Sequence, residues 1–525
     1  MGKMSFLSLF LVVSVLLREG TSLARPNIPK DDRFRPQIHY SVPANWANDP
    51  NGMVYLDGEY HLYYQYNPFS SVADGNTMHW GHAVSTNLVK WTDLPTALSP
   101  DHLGAIWSGS AVVDYENTAG FQTGATPPIV AIFTHFGPLQ QQSLAYSNDK
   151  GRTFTKYEGN PVIPNPVNSF SVMLLIGTPD FRDPKVIRYG DSWIMVLAAG
   201  PKVDFFRSRD LKSWEFLSDF GSDPPQGAHG GPWECPDFLE MKVGDDTVWV
   251  LIVSLDGGPN GHSATQYFVG DFDGTTFSSS QMDPLWMDWG LDNYASVSFS
   301  NEPRGRWVMM GWMANWEYAG STPTEGWRGQ FTLPRMLGLE LANGQLRLQS
   351  TPVPELNILL KNGLYHPENI TIAADEVFDM STLNNPLLHI DLTFDIHEMK
   401  NGASIAICLV NSLGQELCTG LDKGRERPIF LNRELSGLGD FHPAFARRAS
   451  AAREVSRETI RFEIYVDVSA IEVFVDSGLT CMTGLFYPGE PYTGVEIRHH
   501  ASGNPDSSIV LSTGFVEGLL SMGEI

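Results

Sequence analysis

Cysteine is scarce in this chain of 525 residues, and its cysteines and histidines show no paired metal-ligand spacing. Its four cysteines are too few for the disulfide framework that holds small secreted domains together. Cys408 and Cys418 could face each other across a hairpin, but free buried thiols fit the sequence equally well, so no bridge is predicted. The remaining two are Cys235 and Cys481. The sequence therefore implies no metal and no cofactor.

Basic residues are also few. The chain carries 35 Lys and Arg residues against 60 Asp and Glu residues, and its formal net charge is −25. Such a charge repels nucleic acid and anionic membrane surfaces, so we expect neither of them as a partner. A neutral partner such as a sugar fits better, although the same charge could serve solubility alone.

Long apolar runs are absent beyond the first residues. The apolar run 6–17 follows Lys3, and Ser22-Leu23-Ala24 offers a small-residue cleavage site. This run is too short to span a bilayer but has the length of a signal-peptide core. We therefore predict a signal peptide over residues 1–24 and a secreted, extracellular protein.

The composition lacks a long-helix signature and instead holds 49 Gly, 35 Pro and 11% aromatic residues, which favours short strands and tight turns. A unit of polar residues, hydrophobic strand, turn and second strand recurs five times, at intervals of roughly 50 to 75 residues. The units open at Asn48-Asp49-Pro50-Asn51-Gly52, Trp107-Ser108-Gly109-Ser110, Arg182-Asp183-Pro184, Glu234-Cys235-Pro236-Asp237 and Asp292-Asn293-Tyr294.

The repeat stops near residue 350, and the proline-containing segment 351–365 reads as a linker. Beyond it, alternating segments such as LLHIDLTFDI and IRFEIYVDVSAIEVFVDSG predict strands with one buried face. We therefore predict an all-β protein in which a five-bladed β-propeller over 36–350 is followed by a C-terminal β-sandwich over 366–525.

The propeller geometry predicts where the repeated polar residues meet. The first strand of each blade lines the central axis, so the starts of these strands converge at one end of the molecule. Each motif alone is also an ordinary turn former. Clustered carboxylates repel one another, however, and such a cluster is retained mainly where binding or chemistry uses it. The residues predicted to converge are Asp49, Ser108, Asp183, Glu234 and Asp292.

Carboxylates with tryptophan and polar donors, and without phosphate motifs, favour cleavage of glycosidic bonds. A retaining glycosidase needs one ionised carboxylate as nucleophile and one protonated carboxyl group as acid. Asp49, flanked by asparagines, is placed to stay charged, whereas the apolar neighbours of Glu234 should raise its pKa. Arg182 should keep Asp183 ionised, so that Asp183 can hold sugar hydroxyls.

Four motifs in order carry a resemblance to a known family. They are Trp46-Ala47-Asn48-Asp49-Pro50-Asn51-Gly52, Trp107-Ser108-Gly109-Ser110, Phe181-Arg182-Asp183-Pro184 and Trp233-Glu234-Cys235-Pro236. The chain resembles the β-fructofuranosidases of glycoside hydrolase family 32, which include invertases, exo-inulinases and levanases. The resemblance runs from about residue 36 to the C-terminus, and it implies the same fold, a propeller and a sandwich.

The resemblance also implies roles for individual residues. Asp49 takes the nucleophile position, Asp183 that of the transition-state stabiliser and Glu234 that of the acid/base. The predicted substrate-binding residues are Trp46, Asn48, Gln65, Trp107, Ser108, Arg182, Asp292 and Trp312. One departure affects this pocket: many relatives have a Trp-Gly pair where this chain has Val72-Ala73-Asp74-Gly75-Asn76, so one aromatic wall is expected to be missing.

Three functional hypotheses follow. The first is hydrolysis of sucrose or of terminal fructose units of inulin and levan, with a lean towards exo-acting fructan hydrolysis. The second is fructosyl transfer, in which another sugar instead of water attacks the same intermediate. The third is a catalytically inactive fructan-binding protein, which the three carboxylates disfavour. The sequence does not indicate the oligomeric state.

Overall fold

The computed structural model describes residues 32–166, 180–221, 226–361, 365–380 and 385–525. The predicted signal peptide lies outside them. The chain is all-β, as predicted, with 51% strand and 3% helix. Within the described ranges the helical elements are three short 3₁₀ turns, at Gly75–Thr77, Ala319–Ser321 and Pro354–Leu359, and no helix there is long and apolar enough to cross a membrane.

Five sheets with mainly antiparallel pairing follow one another along the first part of the chain, which confirms the predicted propeller. The first holds β1 (Asn45–Leu56), β2 (Glu59–Asn67), β3 (His79–Ser85) and β4 (Thr92–Leu98), and the second holds β5 (Ala105–Val113), β6 (Ile129–Phe136), β7 (Gln140–Ser147) and β8 (Thr155–Lys156). The third holds β9 (Phe181–Tyr189), β10 (Ser192–Ala199), β11 (Val203–Ser208) and β12 (Glu215–Phe220). The fourth holds β13 (Glu234–Val243), β14 (Asp246–Leu255), β15 (Ala264–Phe272), β16 (Phe277–Ser278) and β17 (Leu285–Trp286), and the fifth holds β18 (Tyr294–Ser298), β19 (Trp307–Trp312), β21 (Arg335–Ala342) and β22 (Gln345–Pro352).

The five sheets close into a ring. The innermost strands β1, β5, β9, β13 and β18 contact one another in that cyclic order. A short strand from the fifth repeat, β20 (Trp327–Arg328), pairs in parallel with β1 and joins the last repeat to the first. Closure in this way leaves no innermost edge exposed, which removes a surface that could pair with another chain.

Each innermost strand is interrupted by a register shift near its start. The shifts lie at Ala47/Pro50, Ile106/Gly109, Glu234/Asp237 and Tyr294/Val297, and β9 has one opposite Val196/Ala198. Such a β-bulge bends the strand and changes where the side chains next to it point. Because the bulges recur at one end of the ring, they present one polar segment from each repeat to the same space.

Two six-stranded sheets follow and form the predicted sandwich. One orders β23 (Glu368–Ile372), β34 (Ile509–Gly518), β25 (Leu388–Asp395), β30 (Thr459–Val466), β31 (Ala470–Val475) and β32 (Thr480–Leu485). The other orders β24 (Val377–Asp379), β33 (Gly494–His500), β26 (Ser404–Val410), β27 (Glu416–Asp422), β28 (Ile429–Asn432) and β29 (Arg448–Ala451). Their inward-facing side chains, such as Ile390, Leu392, Ile407 and Ile464, build one apolar core.

The open question about the cysteines has an answer in this sheet. Cys408 and Cys418 lie directly opposite each other on β26 and β27 and form a disulfide. Cys235 and Cys481 are free and buried. The domain limits at 350, 365 and 366 stay predictions; β22 ends at Pro352 and β23 begins at Glu368.

Buried polar side chains join the propeller to the sandwich. Arg335 of β21 contacts Glu472 of β31 at 2.7 Å, and its other nitrogen lies 2.9 Å from Asp288. His39 contacts Asp467 and the same Glu472. All five side chains are almost inaccessible to solvent. Separating the propeller from the sandwich would expose these charged groups and remove their partners, which is energetically costly.

Candidate active site

The bulges bring the three predicted catalytic carboxylates to one cleft. Asp49, Asp183 and Glu234 line a space of about 510 Å³ at the end of the propeller where the innermost strands begin. The other predicted residues that line it are Asn48, Gln65, Trp107, Ser108 and Arg182. Residues from the first four repeats thus meet in one place although they lie far apart in sequence.

Asp49 is held by donors on both carboxylate oxygens. The Ser108 hydroxyl donates to its Oδ2 at 2.6 Å, and the Asn48 side-chain amide donates to its Oδ1 at 3.1 Å. Asn48 is itself oriented by the indole N–H of Trp46, which donates to its Oδ1 at 2.8 Å. Hydrogen bonds to both oxygens fix the direction of the carboxyl group.

Asp183 is the more deeply enclosed of the remaining two carboxylates. Its Oδ2 accepts the backbone N–H of Cys235 at 3.0 Å, and its side chain is 6% exposed. Burial raises its pKa to about 7, with Glu234 and Asp49 adding to the rise, although Arg182 and the backbone N–H of Cys235 oppose it. Arg182 thus lowers this pKa, as expected, but burial outweighs its effect.

The reason lies in the direction of the Arg182 guanidinium. Its Nη2 is 2.9 Å from Glu234 Oε1, whereas its Nε is 3.9 Å from Asp183 Oδ2. A third partner is Asp180. Arg182 therefore holds Glu234 more closely than its sequence neighbour.

Glu234 combines accessibility with a raised pKa. Its side chain is 27% exposed, compared with 6% for Asp183 and 34% for Asp180, the other two acidic contacts of the Arg182 guanidinium. Burial of the carboxyl group raises its pKa, while Arg182 and a hydrogen bond from the Tyr294 hydroxyl act in the opposite direction. The rise has the direction expected from the sequence, and the carboxyl group remains within reach of a ligand.

Two predicted tryptophans lie behind the cleft wall instead of lining it. Trp46 and Trp312 are each 1% exposed. They pack against Trp316, with ring centroids 5.9 Å and 4.6 Å from it, and Trp316 is the one that lines the cleft, with 37% of its surface exposed. Their position corrects the prediction that they contact substrate, because the segment after β19 folds Trp316 over both of them.

Asp292 does not belong to the cleft, which corrects the predicted convergence of five residues. It is completely buried and accepts hydrogen bonds from the Arg433 guanidinium and from the backbone N–H of Leu485. The fifth innermost strand begins at Tyr294, so Asp292 precedes it and faces the sandwich. The cleft therefore contains three of the four predicted carboxylates.

Sequence reasoning missed Tyr294, Cys235 and Trp316. Tyr294 opens its bulge at the position that Glu234 occupies in the fourth repeat, so a strict alignment of the bulges would have found it. The Cys235 thiol lies 3.4 Å from Asp49 Oδ2 and 3.7 Å from Asp183 Oδ2. Where the aromatic wall was expected to be missing, Ala73 and Gly75 line the cleft.

Comparisons with known proteins agree with this geometry. Residues 39–352 match the family model described as "Glycosyl hydrolases family 32 N-terminal domain", and residues 359–513 match "Glycosyl hydrolases family 32 C terminal". A levanase of Bacillus subtilis is 43% identical over 479 residues, which cover 89% of this chain and 68% of the levanase.

Two fungal relatives cover nearly the whole fold. An extracellular exo-inulinase of Aspergillus niger is 35% identical over 496 residues, which cover 87% of this chain and 90% of the inulinase. The crystal structure of an exo-inulinase from Aspergillus awamori superposes with a TM-score of 0.84 at 31% identity, covering 94% of this chain and 99% of that one.

Proposed function

Because the chain belongs to glycosyl hydrolase family 32 and is a glycosidase, we propose that it releases β-linked fructose from sucrose and fructans by double displacement and that it is secreted. Its similarity to a levanase and to exo-inulinases supports this substrate class. The disulfide between Cys408 and Cys418 suits an oxidising, extracellular environment.

The proposed reaction has two steps. The Asp49 carboxylate attacks the anomeric carbon of the fructosyl unit while Glu234 donates its proton to the departing glycosidic oxygen. This breaks the glycosidic bond and forms a fructosyl ester on Asp49. Glu234, now ionised, takes a proton from water, whose oxygen attacks the same carbon and releases fructose and the free carboxylate.

The observation that carries this assignment is the different setting of the two carboxyl groups. Asp49 receives hydrogen bonds from Ser108 and Asn48 on its two oxygens, which hold it in one orientation, as a nucleophile requires. Glu234 has a raised pKa and is accessible from the cleft, which suits a group that must hold a proton. Asp183 is proposed to hold sugar hydroxyls as positive charge develops on the ring.

The test measures fructose and glucose released from sucrose, inulin and levan by the purified chain. We expect equal amounts of the two sugars from sucrose, and a loss of about a thousandfold or more in kcat for Asp49→Asn. Asp74 is exposed and lies between two residues that line the cleft, Ala73 and Gly75, so Asp74→Asn is the matched control and should keep nearly full activity. Glucose in excess of fructose indicates transfer to sugar acceptors, and sugar binding without turnover indicates the binding-protein hypothesis.

A second measurement tests the double displacement itself. Glu234→Gln cannot supply or remove a proton. With a fructoside whose leaving group needs no proton, such as p-nitrophenyl β-fructofuranoside, azide should replace the missing base-activated water, raise turnover and give the β-fructosyl azide. Asp49→Asn cannot form the ester, so azide can only displace the leaving group directly and would give the α-fructosyl azide. For the unaltered chain acting on sucrose, NMR should show that the fructose first released is the β-anomer. Release of the α-anomer would contradict retention.

A further inference from the structure

A second, larger cavity lies at the opposite end of the propeller from the catalytic cleft. It has a volume of about 1190 Å³ including the part open to solvent, and the far ends of β5, β9 and β13 line it. Asp183 and Arg188 lie at the two ends of the same strand, five residues apart, so the two spaces are separated by roughly 17 Å along it. The residues that matter below are Tyr115, Glu116, Arg188, Glu240, Lys242 and Trp307.

Two aromatic side chains of this cavity are available to a ligand. Tyr115 is 60% exposed, and Trp307 is partly exposed. Both are held at their polar edges: the Asn301 amide donates to the Tyr115 hydroxyl at 2.8 Å, and the Trp307 N–H donates to the Glu240 carbonyl at 2.9 Å. Because both rings are already fixed, a ligand that stacks on them causes little further loss of side-chain entropy on binding.

The formal charges of the cavity lining balance, because three acidic residues face three basic ones: Asp114, Glu116, Glu240, Lys185, Arg188 and Lys242. Arg188 Nη2 lies 2.6 Å from Glu116 Oε2, and Lys185 lies 2.9 Å from the buried Asp237. Lys242 and Glu240 alternate along β13 with opposite signs. A cavity without net charge does not select an anion or a cation, whereas its carboxylate and guanidinium groups can exchange hydrogen bonds with hydroxyls.

One donor of this wall lacks a partner. Arg188 Nη1 is buried and has no hydrogen-bond acceptor among the described residues. A buried donor without an acceptor is unfavourable, and a ligand oxygen that bonded to it would remove part of that penalty. Arg188 also lies over the ring of Trp193 at 4.9 Å, so its plane is fixed.

From these observations we propose that the cavity is a second carbohydrate-binding site, which takes a neutral mono- or disaccharide. The apolar face of a sugar ring stacks on Tyr115 and Trp307, while its hydroxyls bond to Glu116, Arg188 and Glu240. The site is non-catalytic, because its carboxylates are paired or lie apart on different strands, and it is independent of the cleft at the other end.

The test counts sucrose molecules bound by the full chain carrying Asp49→Asn, which cannot turn the sugar over. Isothermal titration should find two sites per chain. Adding Tyr115→Ala, a surface change that leaves the fold intact, should weaken one site at least about tenfold, the contribution expected of a stacked ring. In a chain with Asp49 intact, Tyr115→Ala should leave kcat on sucrose unchanged. Trp307→Phe, which keeps a ring, should weaken the same site less.

The outcomes separate this proposal from the proposed function. A single site that Trp107→Ala abolishes and Tyr115→Ala leaves unchanged overturns the second site. A single site that Tyr115→Ala weakens and Trp107→Ala leaves unchanged supports the second site, and it removes sucrose as a ligand of the cleft.

Discussion

Arg433 of the sandwich forms an ion pair with Asp292 of the propeller, with Nη1 2.5 Å from Oδ2 and both side chains nearly inaccessible to solvent. The Tyr318 hydroxyl joins the pair, donating to Asp292 at 2.5 Å and accepting from Arg433 at 2.7 Å. Both carboxylate oxygens of Asp292 therefore accept hydrogen bonds within the protein. An acidic residue that looked like part of the cleft in the sequence therefore fixes how the two halves of the chain meet.

Breaking this pair should destabilise the protein without affecting catalysis. Arg433→Met leaves a buried, unpaired carboxylate, and we expect a loss of about 3–5 kcal/mol in the free energy of unfolding. The double variant Asp292→Asn with Arg433→Met should recover part of that loss because it removes both charges. Urea unfolding gives the stability, and sucrose turnover per folded chain should change less than about twofold.

An exposed pair gives the matched control. Lys150 and Asp57 lie 3.0 Å apart with side chains 44% and 49% exposed, so Asp57→Asn should cost at most about 1 kcal/mol. If Asp292→Asn lowered turnover while leaving stability unchanged, Asp292 would have to be returned to the substrate site.

The repeat and its polar strand starts were readable from the sequence because strand periodicity and turn residues are local signals. They placed Asp49, Ser108, Asp183 and Glu234 together correctly. The fifth repeat failed because the position of a bulge depends on pairing with the neighbouring strand. A two-residue offset there exchanges Asp292 for Tyr294 and turns one carboxylate towards the sandwich.

Other errors came from side-chain directions that only tertiary packing decides. Arg182 precedes Asp183 in sequence but points to Glu234, since the bulge at Asp183 has a left-handed backbone with φ of 64°. The same left-handed conformation recurs at Cys235 and Ala295, at the matching positions of the next two repeats. Trp316 reaches the cleft through an irregular segment after β19, for which the strand pattern carries no signal.

The pH dependence of stability should follow His39. Its ring nitrogens lie 2.8 Å from Asp467 Oδ2 and 3.1 Å from Glu472 Oε1. Burial opposes its charge, but the hydrogen bonds and charges of these two carboxylates outweigh burial and raise the pKa from 6.5 to about 9. The folded state therefore binds this proton more tightly than the unfolded chain does.

A raised pKa of this kind stabilises the protein fully below pH 6.5, and the contribution is lost as the pH rises from 6.5 through about 9. It amounts to roughly 3 kcal/mol. We expect the stability difference between the wild type and His39→Gln to be largest near pH 6 and to shrink steadily up to pH 9.5, in urea titrations at fixed ionic strength. A difference that grows with pH would contradict a charged His39.

The pH dependence of activity should respond to Tyr294. Burial raises the pKa of Glu234, and the hydrogen bond from the Tyr294 hydroxyl lowers it. Tyr294→Phe removes that bond alone, so Glu234 should keep its proton to a higher pH. The alkaline limb of kcat/KM should move upward by about one pH unit, the equivalent of one hydrogen bond to a charged group. An unchanged or lowered alkaline limb would show that Tyr294 does not act on the proposed acid, Glu234.

The Cys235 thiol should affect Asp49, the proposed nucleophile, without itself reacting. Burial, with Asp49 and Asp183 nearby, raises its pKa, so the sulfur keeps its proton and can donate to both carboxylates. Cys235→Ala removes this donor from between two carboxyl groups, and we expect kcat/KM on sucrose to fall about tenfold, the equivalent of one modest hydrogen bond. Cys235→Ser keeps a donor of similar size and should retain most of the activity, while both variants unfold at similar urea concentrations.

Because the native thiol is buried and protonated, iodoacetamide should inactivate the folded wild type only slowly. Rapid inactivation, or equal activity of the alanine and serine variants, would show that the thiol does not act through a hydrogen bond to Asp49.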